Sequence, residues 1–227
     1  MKILGVLPLA GSGVRLGVHF HKSLIPFPSD GELVPIVMTS ISRLKVVTDE
    51  IVSIVSSESR FPFPSREFGL HPVEKDSQGE LPSSVRVGAE YAVANNFSHI
   101  AVSLPDTFWL TSNAFELLAQ ELTKVENLDG VLGLFEGDLR MLDSVSMKTD
   151  SNIVDTVTLH LNHTDQPANG FGWGIFILTA QSALSLTDEM PLAAQLSQLN
   201  LAAVPLEGEF LDIGTPKRYF EAIKKYS

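Results

Sequence analysis

Two glycines and two basic residues follow the first apolar segment of the chain at close spacing. Gly11 and Gly13 allow the backbone to approach a phosphate and to point N–H groups at it. Arg15 and Lys22 can add positive charge. The alternative is that the glycines only form a turn after a strand, with both basic side chains in solvent. Two glycines alone favour the turn, so the phosphate-binding interpretation depends on the residues around them.

The spacing of this glycine-containing segment excludes two common phosphate-binding loops. The dinucleotide-binding fingerprint requires a small third residue where this chain has Leu16. The P-loop requires glycine before its lysine, and here that position is His21. His21 and the nearby His19 are interpreted as loop residues rather than metal ligands. A different class of phosphate site is therefore expected.

Two aspartates lie at the ends of apolar segments, where an α/β enzyme presents ligands to its substrate. Asp106 directly follows the segment 101–105, although a lone carboxylate after Pro105 could equally belong to a turn. Asp212 lies within an apolar segment, where a carboxylate needs a partner or a cation. A strand-to-helix turn explains residues 214–216 but not the aspartate before them. The two aspartates together favour a metal site.

These motifs resemble the signature of the sugar-nucleotide pyrophosphorylases, a family of sugar-1-phosphate nucleotidyltransferases. The family has Leu-Ala-x-Gly-x-Gly-Thr-Arg-Leu, then Pro-Lys-x-Leu-x-Pro, and late in the chain Trp-x-Asp-Ile-Gly-Thr-Pro-x-x-Tyr. Val14 replaces the usual Thr and His21 the usual Pro. The late motif, which ends here at Tyr219, is the most specific match. The first motif matches at Gly11, Gly13, Arg15, Leu16, Lys22, Leu24 and Pro26.

The resemblance implies a three-layer α/β/α fold around a central mixed, mainly parallel sheet. It implies transfer of a nucleotidyl group from a nucleoside triphosphate to a sugar 1-phosphate, with Mg²⁺ held by Asp106 and Asp212. Arg15 would stabilise the leaving pyrophosphate and Lys22 the α-phosphate. The implied nucleotide-binding residues are Leu9, Ala10, Gly11, Ser12, Gly13, Gln78, Ser83 and Ser84. The implied sugar-binding residues are Asn169, Gly170 and Gly172.

A second resemblance keeps a different acceptor open. Residues 84–88 are similar to the Ser-Val-x-x-Gly string of the cytidylyltransferases of isoprenoid synthesis. The match is short, and Ser84 is equally suited to start a helix. The second hypothesis is therefore a cytidylyltransferase that acts on a polyol or alditol phosphate.

The segment 157–163 departs from the pyrophosphorylase pattern. Sugar pyrophosphorylases usually have Glu-Lys-Pro there, with a lysine that binds the sugar phosphate, whereas this segment contains no Lys or Arg. His160 or His163 could substitute when protonated, although a lone histidine is more often a surface or core residue. The departure leaves room for a third hypothesis, a non-catalytic homologue that binds a nucleotide or a sugar nucleotide.

The composition is that of a globular protein without an obvious division. Of 227 residues, 44% are hydrophobic and 19% charged, and no Ser/Gly/Pro-rich linker or charge block interrupts them. Residues 1–227 are expected to form a single nucleotidyltransferase domain. The resemblance covers almost the whole chain, which implies a minimal catalytic domain without the C-terminal parallel β-helix that some relatives carry.

Charge and hydropathy exclude several classes of partner. The net charge of −11, with no basic stripe, argues against nucleic acid, although a small phosphorylated ligand can still be bound locally. No apolar stretch approaches bilayer-spanning length. The apolar segment 3–10 is interrupted by Pro8 and is not followed by the small-residue cleavage pattern of a signal peptide. There are no cysteines. A cytoplasmic protein is expected, and its oligomeric state is left open.

Short apolar segments alternate with helical patterns along the chain. Segments rich in Val, Ile and Phe predict strands, and apolar residues at three- and four-residue spacing predict helices. For the last helix, Thr215 is the expected N-cap and Pro216 the first residue. This alternation favours a mainly parallel sheet with ligands at the carboxyl ends of its strands. The predicted strands are 2–8, 50–55, 99–104, 130–135, 174–178 and 201–204, and the predicted helices are 35–46, 83–95, 113–125 and 216–226.

Overall fold

The computed structural model describes residues 1–11, 17–29, 31–76, 80–109, 111–137, 144–148, 151–158, 170–208, 210–213 and 215–226. The described strands are β1 (Ile3–Pro8), β2 (Pro26–Ser29), β3 (Glu32–Pro35), β4 (Glu50–Ser56), β5 (His71–Lys75), β6 (His99–Ser103), β7 (Thr107–Trp109), β8 (Gly130–Gly137), β9 (Ser144–Met147), β10 (Val154–Thr158), β11 (Gly170–Thr179), β12 (Leu201–Leu206) and β13 (Phe210–Asp212). The described α-helices are α1 (Val37–Leu44), α2 (Leu81–Ala94), α3 (Ala114–Lys124), α4 (Ala180–Leu184), α5 (Leu192–Leu196) and α6 (Pro216–Tyr226). Two short 3₁₀ helices are Lys22–Leu24 and Ser65–Phe68.

Nine of these strands form one mixed sheet in the order β10-β9-β11-β6-β1-β4-β5, with β8 and β12 branching from β11. The long strand β11 pairs with β9 and β6 along one edge and with β8 along the other. Pairings among β1, β4, β5 and β6, and between β8 and β12, are parallel. All pairings of β11, and that of β9 with β10, are antiparallel. Seven of the nine strands therefore run in one direction, against β10 and β11, which confirms the predicted central mixed, mainly parallel sheet.

Helices cover both faces of this sheet, and strand β1 shows why its sequence is apolar throughout. Ile3 and Leu7 pack into the core that includes α1 and α3, whereas Leu4 and Val6 pack into the core that includes α2, α4 and α5. All four side chains are at most 4% exposed. A strand covered on both faces has no polar alternation, because neither face meets water. The three-layer α/β/α arrangement is confirmed.

A third apolar cluster joins the carboxyl end of the chain to the segment after the glycine-containing loop. Phe27 of the β2–β3 hairpin packs with Phe108 of β7, Ile213 and Ala222 of α6. The hydroxyl of Tyr219 in α6 also donates to the carbonyl of Pro26 at 2.8 Å. These contacts hold the late motif beside the strand and turn that follow Lys22.

The predicted strands and helices are all present, within a few residues of their predicted bounds. Helix α6 begins at Pro216 as predicted, and the hydroxyl of Thr215 accepts from the N–H of Arg218 at 3.4 Å. None of the described helices is long and apolar enough to cross a membrane. The strands that the sequence did not predict are β2, β3, β5, β7, β9, β10 and β13, and the unpredicted α-helices are α4 and α5.

Candidate active site

The first site element is the end of β1, where the chain leaves the sheet toward the glycine-containing loop. Leu9 and Ala10 are each 1% exposed. The N–H of Leu9 donates to the carbonyl of Ile54 at 2.8 Å, so it is already bonded within the protein. N–H groups that can meet a phosphate therefore begin after Leu9. Gly11 is described and exposed, whereas the predicted site residues Ser12, Gly13 and Arg15 lie outside the described residues.

Lys22 and Asp106 form an ion pair at the carboxyl edge of the sheet. The ammonium of Lys22, in the first 3₁₀ helix, donates to Oδ2 of Asp106, in the turn between β6 and β7. The two side chains are 20% and 17% exposed, so both can still meet a ligand. A protein cation thus lies at the predicted metal-binding carboxylate. A metal ion that binds Asp106 must share this carboxylate with Lys22 or displace the lysine, and a phosphate that binds Lys22 must do the same with Asp106.

Hydrogen bonds from α1 fix the turn that carries Asp106. The hydroxyl of Ser40 in α1 donates to the carbonyl of Leu104 at 3.1 Å and accepts from the hydroxyl of Ser103 at 2.8 Å. The hydroxyl of Thr107 donates to the same carbonyl at 2.8 Å. These three side chains are at most 2% exposed. Because the turn is held from both sides, Asp106 leaves the sheet in a fixed direction.

The short pair of strands β7 and β13 brings the second predicted metal ligand to this turn. The antiparallel register places Asp212 opposite Thr107, the residue after Asp106. The N–H of Ile213 also donates to the carbonyl of Asp106 at 3.4 Å. The backbones of the two aspartates are therefore neighbours, although about a hundred residues separate them. The side chain of Asp212 lies outside the described part of the structure, so a shared metal ion remains a prediction.

His21 is buried beside this pair, with only 4% of its surface exposed. Its Nε2 lies 3.0 Å from the carbonyl of Leu9, and its Nδ1 accepts from the N–H of Ser23 at 3.3 Å. Burial lowers the pKa of His21, and the positive charge of Lys22 lowers it further, against the opposing effects of the Leu9 carbonyl and Asp106. The imidazole is thus neutral and bonded on both sides. The sequence carried no sign of these two contacts or of the burial of His21.

A second lysine lies at the same sheet edge, where β5 ends and α2 begins. Lys75 is 7% exposed, and its ammonium donates to the hydroxyl of Ser83 and to the carbonyl of Glu80. The hydroxyl of Ser83 donates to that carbonyl at 3.0 Å. The N–H of Ser83 donates to the carboxylate of Asp188 at 3.0 Å. We refer to Lys75, Ser83 and Asp188 as the α2 cluster, which the sequence did not predict.

The α2 cluster bears on the predicted nucleotide contacts of this segment. The backbone N–H and the hydroxyl of Ser83 both have protein partners, and the hydroxyl of Ser84 donates to the carbonyl of Glu80 at 3.4 Å. A nucleotide contact from either serine would need these bonds to change. Helix α2 begins at Leu81 and not at a serine N-cap. Gln78 lies outside the described residues.

Gly88 explains part of the short cytidylyltransferase-like string by packing. Helix α2 crosses β1 so closely here that a Cβ on Gly88 would lie 2.8 Å from both methyl groups of Val6. Only glycine fits without a shift of the strand or helix. The Gly of the Ser-Val-x-x-Gly string therefore serves the contact between helix and sheet, and it is not evidence for a particular base.

The predicted sugar side of the site begins at β11. Gly170 opposes Gly137 of β8, and Gly172 opposes Phe135 of β8 and Ser144 of β9. These glycines therefore lie at the amino end of β11, the same edge as the carboxyl end of β8. Asn169, His160 and His163 lie outside the described residues. Within the described residues, no group of three or more His, Asp or Glu side chains could hold a metal ion.

Solved structures share this fold over the whole chain. Neither a protein-family model nor a curated protein matches the sequence. A UDP-glucose pyrophosphorylase complexed with UDP-glucose is 15% identical, with a TM-score of 0.77 over 100% of this chain and 98% of its own. A UTP-bound UGPase of Acinetobacter baumannii is 14% identical, with a TM-score of 0.75 over 100% and 93%.

A Bacillus anthracis protein, provisionally named a glucose-1-phosphate thymidylyltransferase, is 17% identical, with a TM-score of 0.76 over 99% of this chain and 95% of its own. At such identities the likeness concerns the fold. The chain has the fold of the sugar-1-phosphate nucleotidyltransferases.

Proposed function

We propose that this chain is an enzyme that joins a nucleoside triphosphate to a sugar 1-phosphate and releases pyrophosphate, with residues 1–227 acting as a single catalytic domain. The observation that carries the proposal is the Lys22–Asp106 pair beside the backbone of Asp212, at the sheet edge next to the glycine-containing loop. The fold shared with structures that hold UTP or UDP-glucose supports a nucleotide and a phosphorylated sugar as ligands. A nucleic-acid or membrane partner is not part of the proposal.

In the proposed reaction, a phosphate oxygen of the sugar 1-phosphate attacks the α-phosphorus of the triphosphate. The new P–O bond forms in line with the bond from the α-phosphorus to the oxygen that bridges to the β-phosphate. That bond breaks, and pyrophosphate leaves with its electron pair. The protein forms no covalent intermediate, so its contribution is positioning and stabilisation of charge.

Lys22 is proposed to stabilise charge on the α-phosphate. Its ammonium is held at the sheet edge by one carboxylate and remains partly exposed. A bound triphosphate offers a phosphate oxygen in place of, or in addition to, Oδ2 of Asp106. Arg15 is proposed to hold the leaving pyrophosphate, and the N–H groups of Ala10 to Gly13 to contact the phosphates.

The residues at this edge fit Mg²⁺. Mg²⁺ usually takes one or two protein carboxylates and completes its octahedron with waters and phosphate oxygens. Asp106 and Asp212, whose backbones are neighbours, would hold the ion. When bound, it would neutralise part of the negative charge of the triphosphate. Gln78, Ser83 and Ser84 are proposed on the base side, and Asn169, Gly170 and Gly172 on the sugar side.

The first test is a substrate panel. Each common nucleoside triphosphate is incubated with glucose 1-phosphate or another sugar 1-phosphate and Mg²⁺, and released pyrophosphate is measured with a coupled enzyme. We expect release for at least one pair and none when either substrate is omitted. Absence of release across a broad panel that includes polyol phosphates would contradict the proposed activity.

Metal dependence gives a second test that does not need turnover. Triphosphate binding, measured by calorimetry, should weaken strongly in EDTA, because the carboxylates of the site repel a polyphosphate unless a cation lies between them. Lys22 offsets only one of these charges. Equal affinity with and without Mg²⁺ would contradict the proposed role of the metal ion and would leave only the proposed roles of the protein residues.

One observation favours a second candidate function. The segment 157–163 has no Lys or Arg where the resembling family binds the sugar phosphate. A homologue that binds nucleotide or sugar nucleotide without transferring it would account for this difference. Such a protein would bind a triphosphate or UDP-glucose in calorimetry and release no pyrophosphate with any acceptor.

A further inference from the structure

We propose that His21 is a positioning residue of this site, which ties the carbonyl of Leu9 at the start of the glycine-containing loop to the turn that carries Lys22. This inference rests on the proposed function, because Lys22 is the group that is positioned. His21 contacts neither ligand in the proposed reaction and acts only through Lys22.

The hydrogen bonds of His21 define its tautomer. The carbonyl of Leu9 can only accept, so Nε2, at 3.0 Å, must carry the proton. The N–H of Ser23 can only donate, so Nδ1, at 3.3 Å, must keep its lone pair. Both nitrogens of a neutral imidazole are thereby used. A ring flip would place the carbon Cε1 against the Leu9 carbonyl and the carbon Cδ2 against the N–H of Ser23, so both hydrogen bonds would be lost.

The surroundings of the imidazole leave it little freedom. The ring of Phe63 packs edge-on against it, with 5.3 Å between the ring centroids, and Phe68 packs on Phe63. Ser23, which follows Lys22, is completely buried. The 3₁₀ helix Lys22–Leu24 is only three residues long, so it has few hydrogen bonds of its own to fix its position. The contact across twelve residues to Leu9 is therefore an important restraint on this turn.

The restraint reaches Lys22 because the two residues are adjacent. Leu9 is fixed to the sheet by its N–H bond to Ile54, and His21 is fixed to Leu9. Lys22 then extends to Asp106, whose turn is fixed separately by α1. A shift of the turn would move the ammonium away from both Asp106 and the α-phosphate. Misplacement of a catalytic group by about 1 Å can cost on the order of a hundredfold in rate.

The resembling family has proline where this chain has His21, and the backbone explains why both residues fit. His21 has φ −62° and ψ 126°, which is the region that proline adopts. Proline restrains this position through its ring, whereas histidine restrains it through two side-chain hydrogen bonds. The substitution therefore adds a contact to Leu9 that a proline cannot make.

Three variants separate the two hydrogen bonds of His21. His21→Gln keeps a donor near the position of Nε2, and so the bond to Leu9. His21→Asn keeps an acceptor near the position of Nδ1, and so the bond to Ser23. His21→Leu removes both at similar volume. Thermal melting of each variant reports its folding, and the comparison of Gln with Asn is sufficient if the Leu variant does not fold.

The first readout is turnover with a substrate pair that the wild type uses. We expect kcat to fall roughly tenfold or more in His21→Asn and His21→Leu, with a much smaller change in KM for the triphosphate. In these variants Lys22 would be misplaced relative to the charge that develops on the α-phosphate in the transition state. His21→Gln should stay close to the wild type. A Gln variant no better than Leu, or equal kcat in all four proteins, would overturn the proposal.

The second readout is acylation of Lys22 by an N-hydroxysuccinimide ester, followed by mass spectrometry. The exposed Lys217, whose side chain is 85% exposed, serves as the internal reference. Loss of the Leu9 bond should raise relative labelling of Lys22 about fivefold in the Asn and Leu variants, the factor expected for one buried hydrogen bond, and leave Gln unchanged.

Labelling distinguishes the failure of this inference from that of the proposed function. If the wild type turns over no substrate pair, the proposed function fails, and labelling alone then decides whether His21 positions Lys22. Labelling that is equal in all variants would overturn the inference even in an active enzyme.

Discussion

Two lysines lie at the same edge of the sheet, each near an aspartate, and their surroundings differ. Lys22 contacts the carboxylate of Asp106 directly, and both side chains are partly exposed. Lys75 is buried and bonds to the Glu80 carbonyl and the Ser83 hydroxyl. Asp188 accepts from the backbone of Ser83 instead of contacting the lysine. The first pair can exchange partners with a ligand, whereas the second lysine has partners that belong to the backbone and a buried hydroxyl.

This difference indicates which lysine is available for chemistry. Burial lowers the pKa of Lys75, and the carboxylate of Asp188 opposes this effect. A buried ammonium with protein partners stabilises one local arrangement, here the junction of β5 and α2. We infer that Lys75 and Asp188 support the site by holding the start of α2, and that the Lys22–Asp106 pair acts in it. Parallel substitutions in the Lys22–Asp106 pair and in the α2 cluster test this difference.

The largest effect is expected from Asp106→Asn, with Asp188→Asn as its matched control. Asn keeps the volume and removes the charge. Asp106→Asn should lower kcat by roughly 10²- to 10³-fold, as for loss of a preorganised electrostatic group, with little loss of stability because the pair is partly exposed. Asp188→Asn should leave kcat nearly unchanged and lower the free energy of unfolding by about 1 kcal/mol. Steady-state kinetics and urea unfolding of both proteins test this contrast.

Asp212→Asn belongs with the first of these variants if the two aspartates share a metal ion. It should lower turnover as much as Asp106→Asn and weaken the Mg²⁺ dependence of triphosphate binding. A normal Mg²⁺ dependence in Asp212→Asn would leave Asp106 as the single protein ligand.

The next effect in size is expected from the two lysines. Lys22→Ala should lower kcat roughly a hundredfold and affect triphosphate affinity less, because the charge that Lys22 meets grows in the transition state. Lys75→Met should preserve kcat. It should lower the free energy of unfolding by about 1–3 kcal/mol, because the hydrogen bonds of the buried ammonium are lost and the carboxylate of Asp188 loses a nearby positive charge. The Glu80 carbonyl would keep the hydroxyl of Ser83 as a donor.

The opposite ranking of the lysine variants would contradict the assignment of roles. Full activity in Lys22→Ala together with an inactive, folded Lys75→Met would place the chemistry at the α2 cluster. Arg15→Ala provides a further comparison, since a guanidinium that holds the pyrophosphate in both the ground and transition states should affect affinity and kcat together.

The fold was largely predictable because its central strands are buried on both faces. Runs such as Ile3–Pro8 have no polar face, so shortness and apolarity identify them. The unpredicted strands β7 and β13 have three residues each, and their pairing joins segments about a hundred residues apart. No local pattern carries such a pairing. The positions of Asp106 and Asp212 at the ends of apolar segments, together with the resemblance, indicated that they belong together.

The site was predictable only where a motif carried it. Lys22 was predicted as a phosphate contact, but its pairing with Asp106 across 84 residues had no separate signal. His21 stood out as a departure from the motif, and its burial and two hydrogen bonds became evident only in the structure. Asp188 had no signal, because it reaches α2 from an irregular segment more than a hundred residues away.

The smallest effect is expected from the dependence of stability on acid pH. It distinguishes the Lys22–Asp106 pair from the α2 cluster, because His21 lies beside the pair and not beside the cluster. Burial lowers the pKa of His21 below its usual 6.5, so the unfolded chain takes up this proton at a higher pH than the folded chain. The free energy of unfolding is therefore unaffected by the titration of His21 above pH 6.5, and it decreases progressively as the pH falls from 6.5 toward the folded-state pKa of this residue. Burial also lowers the pKa of His99, which adds to the same loss. The free energy of unfolding should therefore decrease below pH 6.5, by at most about 1.4 kcal/mol per pH unit for each histidine.

Urea unfolding between pH 7.5 and 5.5 measures this decrease. The slope of the unfolding free energy against pH should be smaller for His21→Gln than for the wild type, whereas Lys75→Met should keep the wild-type slope. An unchanged slope in His21→Gln would show that His21 titrates alike in both states, and that the hydrogen bonds to Leu9 and Ser23 do not hold it neutral.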